Sequence, residues 1–258
     1  KALGVYCLCR VYFNVLGMAS PAFASILIGM GALSMVIGVL LAVGQWDFKR
    51  LLAYHSISQM GYVVLALGVG AEALANGSAR VAYLALFGGL FHLLNHAAFK
   101  SLLFLASGSV VHRTGTRDLK ELSGIGSRMP WTGFFARIGS LSISGVPPFN
   151  GSFSKLIIVI AVVWAGHWFL GAVTVLVSFM TLLSFTKVQR YLIEGEVPAG
   201  FTGIRESPFP MQAAMGILAA ACIGLGILLP LHMAGLLKPA TQALFFQLGG
   251  YASSVFGG

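Results

Sequence analysis

Long stretches without a charged residue constrain this chain more than any other feature of its sequence. Residues 23–44, 171–185 and 211–231 contain no Asp, Glu, Lys or Arg. A helix needs about 20 apolar residues to cross the hydrocarbon core of a bilayer, and these stretches approach or reach that length. None shows the alternation of a transmembrane β-strand, so each spanning segment is predicted to be a helix that satisfies its own backbone hydrogen bonds. The sequence therefore predicts an all-α polytopic membrane protein.

Composition and charge distribution agree with a membrane location and argue against nucleic-acid binding. Only 9% of the residues are charged, whereas soluble domains average about 25%. The net charge is +9, but the basic residues gather at the ends of apolar runs, where they set the orientation of membrane helices. The three cysteines form no CxxC pair, so neither a disulfide framework nor a metal site is predicted.

The apolar pattern divides the chain into helices and connections. We predict helices over residues 1–17, 21–46, 51–71, 81–111, 168–192 and 211–231. The stretch 112–129 is the most charged part of the chain and is predicted to be a surface loop. The tail 238–258 is amphipathic and is predicted to lie along the membrane interface.

Residues 130–164 are apolar, but glycines and prolines interrupt the pattern between 145 and 151. Such residues do not fit inside an unbroken helix. The segment is therefore either two crossings or one discontinuous helix. The helices on both sides of it end in basic residues, and these basic ends share a membrane side only if the segment crosses once. We therefore predict a single, broken transmembrane helix, a feature that often marks ion pathways.

His92, His96 and Lys100 are the most unusual residues of the apolar sequence. They are four residues apart, so on a helix they share one face and span about 12 Å. Ionisable residues are costly inside a membrane and are functional candidates. Histidine titrates near neutrality, and burial disfavours the charged form of lysine. The stripe predicts a proton relay through bridging water. Packing is the alternative, and zinc binding is not favoured because no Glu or Cys lies nearby in sequence.

Other basic residues have more than one interpretation. Lys155 follows the predicted break, so it faces the hydrated break in the single-crossing interpretation and the surface in the two-crossing one. Lys1 has the same ambiguity. Arg137 does not lose its proton at accessible pH, so we expect a partner or an interface role for it. His55 and His167 are close to helix ends and are predicted to be structural.

Acidic residues are absent from the middle of every predicted span. The seven are Asp47, Glu72, Asp118, Glu121, Glu194, Glu196 and Glu206. A pump that modulates the protonation of buried lysines needs a buried carboxylate, which we expect to lie outside this chain. The same absence argues against a sodium site within the chain, because sodium prefers oxygen ligands.

Four motifs resemble those of the antiporter-like, proton-translocating membrane subunits. They are "DFKRLLAYHSISQMGY", "FHLLNHAAFKSLLFLASGSV", "RDLKELSGIGSRMPWT" and "SGVPPFNGSFSK". This family includes subunits of respiratory complex I, of membrane-bound hydrogenases and of Mrp-type sodium/proton antiporters. The second and third motifs are most similar to the hydrogenase-4 and formate hydrogenlyase branch. Lys155 is instead similar to the complex I pattern, because the hydrogenase branch often has glutamate there.

The resemblance implies an antiporter-like inverted-repeat helix bundle with a discontinuous transmembrane helix. It also implies a chain of buried lysines, histidines and water along the membrane midplane. Lys1 would be the central lysine of the family. His92, His96 and Lys100 would be the connecting residues, and Lys155 would be the terminal residue of the broken helix.

Residues 1–192 are interpreted as the second antiporter-like repeat, partial at its N-terminus. Residues 193–258 are interpreted as a connection, the final transmembrane helix and the tail. The first repeat is absent, so we interpret the chain as about the second half of such a subunit. Asp47 and Lys49 match the "D-x-K-R" turn of the family, and the resemblance leaves both a structural role and a role in the connecting path open.

The sequence therefore predicts a proton-translocating membrane subunit of a redox-driven complex, of the complex I or hydrogenase type. The expected location is an energy-transducing bacterial or archaeal cytoplasmic membrane. The chain carries no flavin, iron–sulfur or quinone motif, so iron–sulfur, flavin, NiFe or quinone cofactors are expected in partner membrane subunits. An Mrp-type antiporter subunit and a structural membrane bundle are the alternatives.

Overall fold

The computed structural model describes residues 2–15, 20–229 and 233–246, and most of these residues are helical. The α-helices are α1 (Ala2–Arg10), α2 (Pro21–Val43), α3 (Phe48–Ala75), α4 (Ala79–Thr114), α5 (Pro130–Ser144), α6 (Asn150–Trp164), α7 (Trp168–Ile193), α8 (Phe209–Ile227) and α9 (Lys238–Phe246). Two π-helical segments, Val11–Val15 and Met233–Leu237, extend α1 and precede α9. The described residues contain no β-strand.

Five of these helices are long and apolar enough to cross a membrane: α2, α3, α4, α7 and α8. The predicted all-α membrane fold is therefore confirmed. Helix α3 is longer than predicted at both ends. At its start Asp47 is the cap, accepting a hydrogen bond from the Arg50 backbone N–H at 2.8 Å. Helix α3 is also the most buried of the five, and it lies at the centre of the bundle.

The contact between α2 and α3 is close because small residues face each other. A Cβ atom added to Gly61 would lie 2.5 Å from the backbone nitrogen of Met35. A Cβ added to Gly38 would lie 2.5 Å from the backbone nitrogen of Ser58. Glycine at such positions lets two membrane helices approach backbone to backbone. This contact fixes the position of α3 relative to α2.

The two ends of the bundle can be recognised from contacts between helix termini. At the basic end, the Lys187 ammonium of α7 donates to the carbonyl of Val43 at the end of α2 (2.8 Å). At the opposite end, His167, just before α7, pairs with Glu72 near the end of α3 at 2.5 Å. Helix α7 therefore starts at the end of the bundle opposite the basic end, and α6 ends there.

Helices α5 and α6 together cross the membrane once. Helix α5 follows the basic loop 115–129, whose Leu119 N–H donates to the Trp46 carbonyl beside the start of α3 (3.0 Å). Helix α6 ends at the opposite side, next to His167. Each helix has 15 residues, or about 22 Å at 1.5 Å per residue, which is shorter than the roughly 30 Å hydrocarbon core. The predicted single crossing by a broken helix is confirmed.

Residues 145–149 form the interruption between α5 and α6. Gly145 ends α5 with φ +82°, a conformation that other residues adopt only with strain. Gly151, in the first turn of α6, has its Cα against the carbonyl of Ser142, where a Cβ would collide. The two glycines let the broken ends of the helix pack against each other.

Helix α9 packs against the bundle, and the interfacial position of the tail stays a prediction. Leu244 is buried among residues of α1, α3 and α4, and the Asn14 amide donates to the Ala243 carbonyl at 3.1 Å. The remainder of the predicted tail, residues 247–258, lies outside the described residues.

We predict that Gly151→Ala destabilises the protein by about 1–3 kcal/mol, because the added methyl group overpacks the broken helix against the Ser142 carbonyl. Gly108→Ala is the matched control, since a Cβ at Gly108 meets no atom within 4 Å. It should be neutral or stabilising by up to about 1 kcal/mol, as expected for alanine inside a helix. Unfolding in detergent by SDS titration measures both. Equal stability of the two variants would contradict this packing of the break.

Candidate functional site

Helix α4 carries His92, His96 and Lys100 on one buried face. Their exposed fractions are 0%, 5% and 4%. Successive residues of this stripe are about 6 Å apart along the axis. The predicted burial of the stripe is confirmed, and the three side chains face neighbouring helices instead of lipid.

Helix α6 brings the Ser154 hydroxyl to the first of these histidines and carries a buried lysine at the next position. The Nδ1 atom of His92 lies 2.9 Å from Oγ of Ser154. Lys155, the next residue along α6, is 4% exposed. It lies in the interior beside the break, as the single-crossing interpretation predicted. His92 and Lys155, 63 residues apart in the chain, therefore occupy one site.

The Lys155 ammonium is held by neutral oxygen atoms of α5 and α7 beside the interruption. Its Nζ donates to the carbonyl of Ile143 at 2.7 Å and to Oγ of Ser178 at 3.2 Å. Ser178 donates in turn to the carbonyl of Ser144 at 3.2 Å. An unbroken helix would pair these two carbonyls with the backbone nitrogens of Pro147 and Pro148, which carry no hydrogen. The two prolines therefore leave the carbonyls free for the side chains of α6 and α7.

Tyr62 of α3 contacts both titratable groups. The centre of its ring is 5.6 Å from that of the His92 ring, and the Lys155 Nζ lies over the tyrosine ring at 5.2 Å. The tyrosine is fully buried, and its hydroxyl donates to the Thr174 carbonyl of α7 at 2.7 Å. Tyr62 thus fixes the relative positions of α3, α4, α6 and α7. Sequence reasoning did not select it, although it ends the first family motif.

Buried polar atoms continue from this centre along α4. The Asn95 amide donates to the carbonyl of Asn150 at 3.0 Å. Several other buried side-chain atoms have no hydrogen-bond partner among the described residues: His92 Nε2, Asn95 Oδ1, Ser107 Oγ and Ser144 Oγ. Buried polar groups in proteins are nearly always hydrogen-bonded to protein or ordered water. These atoms are therefore positions at which ordered water would bond.

Carboxylates are absent from this interior. None of the seven acidic residues of the chain is buried, and all seven lie within the described part. Glu72 is half-buried and pairs with His167 at the end of the bundle opposite the basic loops. The described residues contain no group of three His, Cys, Asp or Glu side chains arranged to hold a metal ion.

The remaining candidates occupy different positions. Lys1 lies outside the described residues. Asp47 is the cap of α3 described above, and Lys49 is half-buried in the first turn of that helix. His55 is fully buried, with Nε2 2.9 Å from Ser184 Oγ. Arg137 is exposed on the outer face of α5.

A cavity of about 320 Å³ opens beside the break. Its lining includes Lys155 and Gly145, and the hydroxyl-bearing residues Ser152, Thr174 and Ser178. The exposed side chains of Leu156 and Val175 lie at the same cavity. Lys155 is therefore the titratable residue of this site that is nearest to an opening at the outer face.

Comparison with known proteins identifies the family. A protein-family model that describes the transmembrane domain of NADH:quinone oxidoreductase and Mrp antiporter proteins matches residues 1–181 of this chain. The chain belongs to this family. Members of the family are transmembrane proteins, so the apolar helices of this chain are membrane helices.

Individual relatives come from more than one branch of the family. The chain is 34% identical over 195 residues to a component of the Na⁺/H⁺ antiporter of Alkalihalophilus pseudofirmus, covering 75% of this chain and 37% of that protein. It is 39% identical over 155 residues to hydrogenase-4 component B of Escherichia coli, covering 59% and 23%. The chain thus spans well under half the length of these two relatives.

The fold is similar to that of a protein in a solved multi-subunit membrane complex. The Mrp complex from Dietzia sp. DQ12-45-1b contains a chain that matches with a TM-score of 0.83 and 25% identity. The match covers 95% of this chain and 51% of that one. The antiporter-like membrane fold inferred from the sequence motifs is thereby confirmed.

We predict that Tyr62→Phe lowers the free energy of unfolding by about 1–1.5 kcal/mol, because a buried hydrogen bond to the Thr174 carbonyl is lost while the ring remains. Tyr54→Phe, on the same helix, is the matched control: Tyr54 is half-buried and has no side-chain hydrogen bond in the described part of the chain. Its stability should change by less than about 0.5 kcal/mol. Denaturant titration in micelles compares the two, and a Tyr62 variant as stable as the Tyr54 variant would rule out this anchoring role.

Proposed function

We propose that this chain is the proton-conducting part of a membrane subunit in a redox-driven complex of the complex I or hydrogenase-4/formate hydrogenlyase type. One observation carries the proposal: His92 and Lys155, from different helices, are both buried, and both lie against Tyr62 at a helix break. Titratable groups held in this way inside a membrane protein are characteristic of proton pathways. The similarity to hydrogenase-4 component B supports the choice of complex.

The proposed path follows α4 and then enters the break. Protons move between Lys100, His96 and His92 through water, since the steps of about 6 Å along the helix exceed direct hydrogen-bond distance. Ser154 connects His92 to the first turns of α6, where Lys155 is the last titratable group. The cavity beside Lys155 is the proposed opening to a neighbouring protein of the complex or to the aqueous phase. Lys1 is proposed as a further member of the path, and Asp47 and Lys49 as support for the start of α3.

Electrostatics provides the proposed coupling. The buried amines have no buried carboxylate from this chain beside them, so a negative charge that approaches from outside the chain would favour their protonated form. Electron transfer in partner subunits is the proposed source of that change. The iron–sulfur, flavin, NiFe or quinone groups that carry the electrons are assigned to those partners, and this chain carries out no redox step itself. The proposed location is the energy-transducing cytoplasmic membrane of a bacterium or archaeon.

A sodium/proton antiporter subunit of the Mrp type is the second candidate, because a component of such an antiporter and a chain of the Mrp complex are among the similar proteins. In that case protons would move through the same groups without electron transfer. The lack of buried carboxylates argues that sodium would bind outside this chain. A structural bundle is the third candidate, in which the same residues only pack.

We predict that Lys155→Met reduces proton translocation at least about tenfold in the full polypeptide assembled in its native complex, because a proton-transfer group is lost. Lys155→Arg should lose as much, since arginine keeps its charge and does not release the proton. Lys238→Met is the matched control, because Lys238 is exposed on α9. Protons moved per electron, measured in inverted membrane vesicles, compare the variants.

The double variant His92→Phe with Lys155→Met should be no worse than the more impaired single variant, because groups that act in one path are not additive. If proton translocation falls only in proportion to the amount of assembled complex, the residues have a structural role instead. Sodium-dependent proton flux that persists without any electron donor would indicate an antiporter. Either result would contradict the redox-driven proposal.

A further inference from the structure

Arg137 lies on the outer face of α5, away from the proposed proton path. It is exposed and makes no hydrogen bond or ion pair with any described residue. It follows Pro130 by seven residues, so it lies about 10 Å along the helix from the basic end of the bundle. Arginine stays charged at accessible pH, and a charged side chain at this depth needs a polar or anionic partner. The described part of the chain does not supply that partner.

A groove lies next to this arginine. The cavity has a volume of about 200 Å³ and is lined by Gly126, Pro130, Gly133, Phe134, Arg137 and Ile193. The four lining residues from α5 follow the i, i+3, i+4, i+7 spacing of one helix face. The groove is narrow where the two glycines meet, since a Cβ on Gly133 would come 3.3 Å from the Cα of Gly126. Larger residues at these two positions would fill it.

Exposed aromatic residues mark the membrane depth of the groove. Trp131 is 56% exposed and Phe134 is 53% exposed. Together with Pro130 they line an adjoining cavity of about 330 Å³. Tryptophan concentrates at the level of lipid headgroups. The groove therefore extends from headgroup level, at the start of α5, to Arg137 further inside.

The amino terminus of α5 is not part of this site, because the chain already occupies it. The Glu206 carboxylate accepts hydrogen bonds from the N–H groups of Trp131 at 2.9 Å and Thr132 at 3.3 Å. Glu194 follows the groove residue Ile193, but it is exposed and forms no ion pair with the arginine. The positive charge of Arg137 in the groove is therefore complementary to an anion from outside the chain.

We propose that this groove binds an anionic phospholipid whose phosphate lies at headgroup level near Trp131. The Arg137 guanidinium extends along the groove toward that phosphate, and Phe134 lies against the glycerol and acyl part. Guanidinium groups bind phosphate through paired hydrogen bonds. Arg128, exposed two residues before Pro130, adds positive potential where the headgroup enters. Basic pockets between membrane helices on the positively charged side are suited to such lipids. The site is independent of the proton path.

The test uses the full polypeptide in its native complex, delipidated and then titrated with phosphatidylglycerol or phosphatidylcholine, with bound lipid counted by native mass spectrometry. Arg137→Gln should weaken the tightest phosphatidylglycerol site about fivefold, the effect expected of one basic residue at a membrane surface. Arg137→Lys should weaken the binding less than Arg137→Gln does, because lysine keeps the positive charge but cannot form the paired hydrogen bonds. Arg80→Gln is the control, since Arg80 is also exposed and lies over a tryptophan, Trp164, at the opposite end (4.9 Å). It should bind phosphatidylglycerol like the wild type.

Three results would overturn the proposal. The first is equal phosphatidylglycerol binding by the wild type and Arg137→Gln. The second is displacement of the bound lipid by millimolar inorganic phosphate, which would indicate a site for free phosphate. The third is unchanged lipid binding together with release of a neighbouring protein that an exchange of opposite charges restores, which would assign a partner carboxylate to Arg137.

Discussion

The interruption between α5 and α6 is the constraint on which the rest of the site depends. Pro147 and Pro148 have no N–H to offer the carbonyls of the preceding helix, so the Lys155 ammonium and the Ser178 hydroxyl take those positions. The same bonds hold the lysine inside the bundle and connect α6 to α7. Irregular backbone is tolerated at this depth only where protein or water satisfies it. The two prolines therefore free the carbonyl that holds Lys155, and the Lys155 amine satisfies that buried carbonyl in return.

Much of the fold follows from hydrophobic runs, charge and breaker residues. The single crossing of residues 130–164 was predictable because basic residues end the helices on both sides. The sequence could in principle predict that Lys155 bonds to a carbonyl freed by the prolines. In a helix each N–H bonds to the carbonyl four residues earlier, so Pro147 and Pro148 leave two known carbonyls without a backbone donor. The sequence pattern did not indicate Tyr62, Ser154 or Ser178 as residues of the site. Their contacts depend on the rotation and tilt of four helices, which no local pattern encodes.

The sequence interpretation also left roles open that the structure narrows. Asp47 caps α3, which supports the structural role for the "D-x-K-R" turn. His167 pairs with Glu72 at one end of the bundle, whereas His55 is fully buried against Ser184. Arg137, for which a partner or an interface role was expected, lines an outer groove. Position in the bundle, which the sequence conveys only coarsely, separates His167 and Arg137 from the residues of the proposed path.

The central claim is that water and side chains join the α4 stripe to the break in one path. The most direct test is a structure of the assembled complex at a resolution that shows ordered water. The account predicts a hydrogen-bonded chain that includes water and connects Lys100, His96, His92 and Lys155, with Ser154 beside it and redox subunits in the same assembly. A dry interior, in which the histidines bond only to protein and nothing connects them to Lys155, would contradict it.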